Sequence, residues 1–585
     1  MKLHLLRRRM SSMQQLLPVS KKIFTASAFS FLMMHPSQSI AQGAWTKIAT
    51  TAPNPNLGVM LLLSDGTVIC KSSGGGVDGY GTIWNRLKPD SKGSYVNGTW
   101  SSINPMKNSR LYFSSQVLKD GKVYVCGGEY GTGGSAGEVY DPQTNTWTLT
   151  PAPGAFVSDA NSEILEDGRV LQAIVQGNPF IRQTKLYTPS TNTYAAAPSC
   201  IGAHNESTWV KLPDNSILMV DRNSRNSERY IPSLNQWVAD ATVPVDLYDP
   251  FGLETGAGLL LPDGRAFFIG SLGHTAYYKP TGNNNPGTWT AGPDIPNGNG
   301  QADAPAAMMV NGRILLTAAP KPISGNVFRS PTTFYVFDYT TNVYTQINSP
   351  EGGQSINIPV YQTNMLDLPD GTVLFSRQNS SDYYIFKPTG KPISQAKPVI
   401  SSVTKNTTGN AYTIKGSLFN GISEGACYGD DWQMATNYPI VRLRDNSNNN
   451  IYYCTTSNWN STGVRRVGLN DDAQFTLPAG LPVKQYDLFV VANGIASTAF
   501  PFTPTAAQSS PVANAASVQT VKNAGISPNP ATGFTTLRFT TSASTQASIR
   551  IFDLNGTEVK TILNGNISAG DQTIKISTAG LAAGN

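Results

Sequence analysis

Seven tight turns of the Asp-Gly kind recur along this chain, each between two strand-forming segments: Asp65-Gly66, Asp120-Gly121, Asp167-Gly168, Asp214-Asn215, Asp263-Gly264, Asn311-Gly312 and Asp370-Gly371. Their second residues lie 55, 47, 47, 49, 48 and 59 positions apart. A strand–turn–strand unit repeated about every 50 residues buries its apolar faces only by stacking on its own copies, and the period is that of a β-propeller. A propeller gathers function into the loops around one end of its axis. The repeat therefore says where a site would lie, though not what happens there.

Each repeat holds four strand signals. In the second they cover residues 111–118, 122–126, 137–140 and 146–150. Asp120-Gly121 suits a two-residue hairpin turn in which both central residues take positive φ. The fourth strand carries an aromatic anchor, Trp100, Trp147, Tyr194, Trp237, Trp289 or Tyr344, which makes six for seven turns. Trp45 supplies the seventh, so an N-terminal strand is expected to complete the last blade and close the ring, leaving no exposed sheet edge. The expected fold class is all-β: a seven-bladed kelch-type propeller over 42–395, an immunoglobulin-like sandwich over 396–505, a linker over 506–522 rich in Ala, Ser, Thr and Pro, and a small β-sandwich over 523–585.

The formal charge of the 585-residue chain is +6, but residues 1–41 hold six basic side chains and no acid. The remainder is balanced at 37 basic and 37 acidic residues, which gives no reason to expect nucleic acid or an acidic membrane as partner. Lys21 and Lys22 followed by the apolar stretch 23–34 and by Ser39-Ile40-Ala41 read as a signal peptide cut before Gln42. No later segment is apolar enough to span a bilayer. An exported chain can keep disulfides, and Cys427 and Cys454, on two strands of one small domain, are the expected bridge. Cys70 and Cys126 occupy similar places in adjacent blades, paired or simply buried, and no CxxC spacing points to zinc.

Several motifs resemble the galactose oxidase family, kelch-repeat oxidases with a copper ion and a tyrosyl radical, over residues 42–504. Tyr112, in Ser109-Arg110-Leu111-Tyr112-Phe113-Ser114-Ser115, takes the place of that family's cysteine-linked tyrosine. Tyr130, in Gly127-Gly128-Glu129-Tyr130, stands for its stacking aromatic ring, and Tyr361-Gln362 for a Tyr-His pair. The loop 429–437 matches the segment that delivers a last histidine from the sandwich, with Trp432 at that position, where it would cap the mouth or stack on a ligand. Both tyrosines are thus kept, while both ligand histidines and the linking cysteine, expected near Asn56-Leu57-Gly58, are replaced. Glutamine and indole do not substitute for imidazole on copper, so the resemblance implies a degenerate copper site. His204 and His274 are the only histidines after residue 41 and would be the metal ligands of a rebuilt site.

Residues nine or ten before each turn open the inner strands and should ring the axis: Tyr112, Asp159, Glu206, Glu254, Asp303, and Tyr361 with Gln362. Four crowded carboxylates repel, which raises at least one pKa. A bound cation such as calcium, a carboxyl pair working as general acid and base, or hydrogen bonds to a neutral polar ligand would each relieve them. Tyr and Trp faces beside carboxylates suit sugars. The leading expectation is extracellular carbohydrate recognition without a firm cofactor. The alternatives are a carbohydrate-active enzyme, either a copper oxidase or a carboxylate-based hydrolase or lyase, and a structural or adhesive surface protein.

Gly525-Ile526-Ser527-Pro528-Asn529-Pro530-Ala531, then Asp553-Leu554-Asn555-Gly556, then Leu581-Ala582-Ala583-Gly584-Asn585, resemble the C-terminal sorting domain of the type IX secretion system. The resemblance implies handling by that machinery and a secreted or cell-surface protein; a monomer is expected. The family continues into a final Tyr-x-Val strand, so the segment reads as truncated.

Overall fold

The computed structural model describes residues 42–72, 76–159, 161–175, 182–407, 410–427, 436–504, 522–542, 544–552 and 558–580. The proposed leader 1–41, Trp432 with its loop, the linker 505–521 and the motifs at 553–556 and 581–585 lie outside the described residues.

Seven antiparallel sheets follow one another between residues 43 and 388, each with four or more strands. Their second strands, such as Val123–Cys126 and Ile217–Val220, are buried along their whole length because blades pack on both faces. The ring closes as the repeat arithmetic requires: Gly43–Lys47 pairs with Tyr384–Pro388 at the edge of blade seven. Trp45 then packs 4.8 Å from Phe386 and 5.4 Å from Phe375, centroid to centroid. The other anchors lie on the outer strands, where Trp147 donates its indole N–H to the Asn104 carbonyl at 2.8 Å.

The turns differ from the two-residue form expected of them. The Gly121 N–H donates to the Leu118 carbonyl at 2.8 Å and the Leu118 N–H to the Lys122 carbonyl at 2.8 Å, so the loop is one residue longer. Only the second residue of each pair is left-handed: Gly121 has φ 83° and Asn215 φ 64°. This is a type I turn closed by a glycine bulge. The preceding aspartate keeps ordinary φ and accepts from the backbone, as Asp120 does from the Lys122 N–H at 3.1 Å.

Residues 399–502 form two sheets sharing one core, with Tyr412, Ile414 and Phe475 from one and Val441, Leu488 and Phe502 from the other. This sandwich covers the turn end of the propeller. Thr456 N–H donates to Ser64 O at 3.2 Å and Asn458 N–H to Lys119 O at 2.5 Å, while Arg465 bonds the Pro262 carbonyl. From the sandwich, Glu424–Cys427 runs against the innermost strand of blade five, Gly258–Leu260. There Glu424 accepts from the Lys211 N–H of blade four at 3.0 Å, and Lys211 Nζ reaches Glu163 of blade three at 2.7 Å. The sandwich thus threads a strand into the axial channel and fixes it through a buried ion cluster.

This threading corrects the expected Cys427–Cys454 bridge. Cys454 is a free, buried thiol, while Cys427 pairs through its backbone with the propeller rather than with a sandwich strand. Cys70 and Cys126 are likewise free and buried. The C-terminal segment is a three-stranded sheet, Lys522–Ser527, Phe534–Thr541 and Gly570–Ser577, plus a hairpin of Thr545–Phe552 with Glu558–Ile567.

Candidate functional site

Opposite the sandwich, the loops entering the inner strands meet the loops between second and third strands. They enclose an open cavity of about 250 Å³ lined by Asp78, Tyr112, Glu129, Tyr130, Asp159, Glu206, Glu254, Asp303, Phe328 and Tyr361. The inner-strand arithmetic therefore converges: its four acids and two tyrosines reach one cup. Repeat counting missed Asp78, Glu129 and Phe328. They lie 12, 8 and 16 residues past the second residue of their turns, so no constant offset marks them. Larger clefts, of about 670 and 360 Å³, follow the seam between propeller and sandwich and are lined in part by turn residues such as Asp65.

Backbone conformation at the cup is unusual. Tyr112, Asp159, Glu206 and Asp303 have φ between 47° and 53°, and Asp78 has φ 55°. A left-handed non-glycine residue is strained by roughly 1–3 kcal/mol. The strain is held by blade-to-blade hydrogen bonds: Glu206 N–H donates to Asp159 O at 3.0 Å, Asp303 N–H to Thr255 O at 2.8 Å, and Thr255 Oγ1 to Glu206 O at 2.7 Å.

The acids differ in their partners. Asp159 Oδ2 accepts from Asn205 Nδ2 at 3.2 Å and from Ser158 Oγ at 3.0 Å, yet burial still raises its pKa to about 6. Burial, then the charges of Asp159, Glu129 and Asp78, raise Asp303 to about 7. Partial burial and Asp159 raise the rim residue Glu129 to about 7. Glu254 is 9% exposed, and burial together with Asp303 drives it well above the carboxylate range despite Arg222 nearby. Arg222 itself donates to the carbonyls of Leu253 and Gly252 at 3.1 and 2.9 Å.

The aromatic wall is built in two pairs. Phe328 and Tyr361 have centroids 4.7 Å apart, and Tyr112 and Tyr130 meet edge to face at 6.1 Å. Both inner tyrosines bond one carboxylate: Tyr112 Oη donates to Asp78 Oδ1 at 2.6 Å, and Tyr361 Oη to Asp78 Oδ2 at 3.2 Å. Gln378 Nε2 donates to Tyr112 Oη at 2.8 Å and Gln362 Nε2 to Tyr361 Oη at 3.2 Å. Gln362 is thus buried behind the wall rather than part of it.

This donor set does not fit copper. The two hydroxyls are committed as donors to a carboxylate, and two amides stand around them where imidazole would be needed. Neither histidine lines the cup. His204 is buried against Trp209 and Trp237 and bonds Glu228 at 2.8 Å, and His274 pairs with Asp294 at 2.9 Å in a loop. Among the described residues, no three His, Cys, Asp or Glu side chains stand close enough to hold one metal ion.

Family profiles match the chain in two places, a kelch motif at residues 115–154 and a secretion system C-terminal sorting domain at 525–585. Curated relatives include a spermatocyte protein of Caenorhabditis elegans, 31% identical over 16% of this chain and 18% of its own length. An F-box/kelch-repeat protein of Arabidopsis thaliana is 31% identical over 18% of this chain and 27% of its own. A kelch-like protein of Aspergillus terreus is 28% identical over 21% of this chain and 27% of its own. The chain therefore spans about a quarter or less of these relatives. Among solved structures, a fungal alcohol oxidase of the AA5 family in complex with copper aligns over 79% of this chain and 99% of its own, at 15% identity and TM-score 0.48. A streptogramin B lyase aligns over 59% and 98%, at 12% identity and TM-score 0.39. The chain thus carries a kelch motif within its propeller and a C-terminal sorting domain of the type IX secretion kind, which marks it as a secreted or cell-surface protein.

Proposed function

We propose that this secreted propeller recognises carbohydrate at the cup opposite its sandwich, without copper chemistry. The observation that carries the reading is the convergence of four aromatic rings and six carboxyl groups on one open, ring-sized cavity. Sugar rings present apolar C–H faces to aromatic planes and hydroxyls to acceptors, and this wall offers both. Around it the mouth loops expose Tyr80, Phe156, Phe251 and Ile323, an apolar rim along which a longer glycan would lie. The sandwich covers the other end, so one face is left for a partner. Glycan-array binding by the secreted chain tests this: Tyr130→Ala should abolish the strongest signals, and an array blank for the native chain would refute it.

One observation favours a second reading, a carboxylate-based glycoside hydrolase. Burial and its acidic neighbours push Glu254 toward the protonated form that a general acid needs, while Asp159 is raised less, to about 6. Release of reducing ends from glycans that bind, lost in Glu254→Gln, would establish it. Binding without cleavage would leave the recognition reading alone.

A further inference from the structure

The cup is far more acidic than a neutral sugar needs. Hydroxyls are served by neutral amides and one or two carboxylates, yet six carboxyls face this space. The charge of Arg222, which does not line the cup, acts on both Asp159 and Glu254. Glu254 is the telling member. It is nine-tenths buried and lines the cavity, and among the described residues its carboxyl takes part in no hydrogen bond; burial, the neighbouring acids and the charge of Arg222 act on it, while beside it Asp303 Oδ1 is buried without a partner. Burying a polar group without a partner is costly, and an apolar side chain would spare the fold that cost. A group kept in this state is waiting for a donor from outside.

Chemistry narrows the donor. A small divalent ion needs several oxygens converging within bonding distance, and no such trio exists among the described residues. A primary ammonium is less demanding: it brings three N–H donors and a charge that can be shared over several angströms. Its carbon neighbours pack on aromatic faces, where cation–π attraction adds to burial. The pairs Phe328–Tyr361 and Tyr112–Tyr130 supply those faces beside the acids. The cavity of about 250 Å³ holds the space of roughly eight waters, enough for one aminated sugar ring.

We propose that the mouth cup is an ammonium-binding site and that the glycan it recognises carries a free amino group, an inference that rests on the carbohydrate reading. An ammonium favours the ionised carboxylates, so binding draws protons from the acids whose pKa burial raises, Asp303 at about 7 among them, and releases protons near neutral pH. The reaction is one of binding and proton release only; no covalent bond is made or broken.

The test is calorimetric titration of the full secreted chain at pH 6.5 with three probes: a β-1,4-linked glucosamine tetrasaccharide, its fully N-acetylated counterpart, and n-propylamine. The aminated tetrasaccharide should bind at least tenfold more tightly than the acetylated one. Its heat should change between buffers of different ionisation enthalpy in the sense of proton release. Glu254→Gln and Asp303→Asn, each with an undiminished melting temperature, should each lose that preference. Equal affinity for the two oligosaccharides overturns the ammonium proposal and leaves the carbohydrate reading standing. Binding of propylamine as tight as the aminated tetrasaccharide, with the acetylated one silent, keeps the ammonium site and overturns the sugar. No binding by any probe, or an unchanged preference in both variants, overturns the ammonium proposal.

Discussion

The two ends of the propeller solve the same geometric problem with opposite residues. At the turn end, the left-handed position of each hairpin is filled by Gly66, Gly121, Gly168, Asn215, Gly264, Gly312 or Gly371, residues that enter this region at little cost. At the mouth, the same region of φ is filled by Asp78, Tyr112, Asp159, Glu206 and Asp303. Charge follows the same division. The channel carboxylates Glu163 and Glu424 share the Lys211 ammonium, whereas Glu254 at the mouth has no such partner. Compensation in the channel is partial, since one Glu163 oxygen stays buried without a partner among the described residues and burial with the Glu163 charge raises Glu424 to about 8. What sets the mouth apart is left-handed strain together with acids that share no ammonium, where a ligand would meet them, the pattern expected of a functional site.

Removing the channel cation should give the largest effect. Lys211 is 2% exposed, and Lys211→Met strands two buried carboxyls that now share it. Breaking a buried pair by deleting one partner costs about 3–5 kcal/mol. Urea unfolding followed by tryptophan fluorescence should show that loss, together with easier proteolysis at the threaded strand. A loss below 1 kcal/mol would mean that the channel is no better compensated than the mouth.

The mouth should contribute to the pH dependence alongside buried Glu424, raised to about 8, and buried Asp367, raised well above the carboxylate range, which act in the same sense outside the cup; the part lost in Glu254→Gln is the cup's share. Asp159 and Asp303 have folded pKa values raised to about 6 and about 7, above their ordinary range. A carboxyl with raised folded pKa binds its proton more tightly in the folded state, so stability is full in acid and falls as pH rises from about 4 to about 7. A shift of two units corresponds to about 3 kcal/mol. The unliganded chain should therefore melt higher at pH 5 than at pH 7.5, and Glu254→Gln should reduce the difference. A melting temperature that rises across this interval would place the dominant titration outside the cup.

Much of this is legible in the sequence. The seven turns, the anchors from Trp100 to Tyr344 and the closing role of Trp45 follow from spacing, because each blade repeats the same packing problem. The acids and tyrosines at nine or ten residues before each turn were legible for the same reason: an inner strand has a fixed length. Asp78, Glu129 and Phe328 were not, because loops between second and third strands vary in length and leave no offset to count. The histidines misled in a different way. His204 sits one to two residues before Asn205 and Glu206, but its side chain turns inward onto Trp209 and Trp237 and pairs with Glu228. Position along the chain placed it at the mouth, while packing took it away. The Cys427–Cys454 pairing failed because domain membership was read from sequence order, and the strand that carries Cys427 is lent to the propeller.

At the turn end, substitution against the backbone preference should be costly in a modest way. An added Cβ at Gly121 would lie 2.8 Å from Ser64 Oγ and 3.0 Å from the Thr456 carbonyl, at φ 83°. Gly121→Ala should lose about 1–2 kcal/mol from the left-handed conformation, with a further loss from the carbonyl contact across the sandwich seam. Thermal unfolding measures it, and ligand binding at the opposite end should be unaffected.

The reciprocal change at the mouth should be smaller and of opposite sign. Asp303 has φ 50° and a buried Oδ1 without a partner among the described residues. Asp303→Gly removes both liabilities, and Asp303→Ala removes only the carboxyl, so the difference between the two isolates the backbone. Glycine in an ordinary conformation costs about 0.5–1 kcal/mol of chain entropy, while the left-handed region costs other residues about 1–2 kcal/mol. Glycine should therefore exceed alanine by about 0.5–1 kcal/mol when both are unfolded at pH 5, where the native carboxyl is protonated and its charge plays no part. Both variants should weaken binding at the cup. Greater stability together with weaker binding, from one substitution, is what a strained side chain held for a ligand predicts. If glycine proves less stable than alanine here, the left-handed residues of the mouth are unstrained, and the contrast between the two ends reduces to charge.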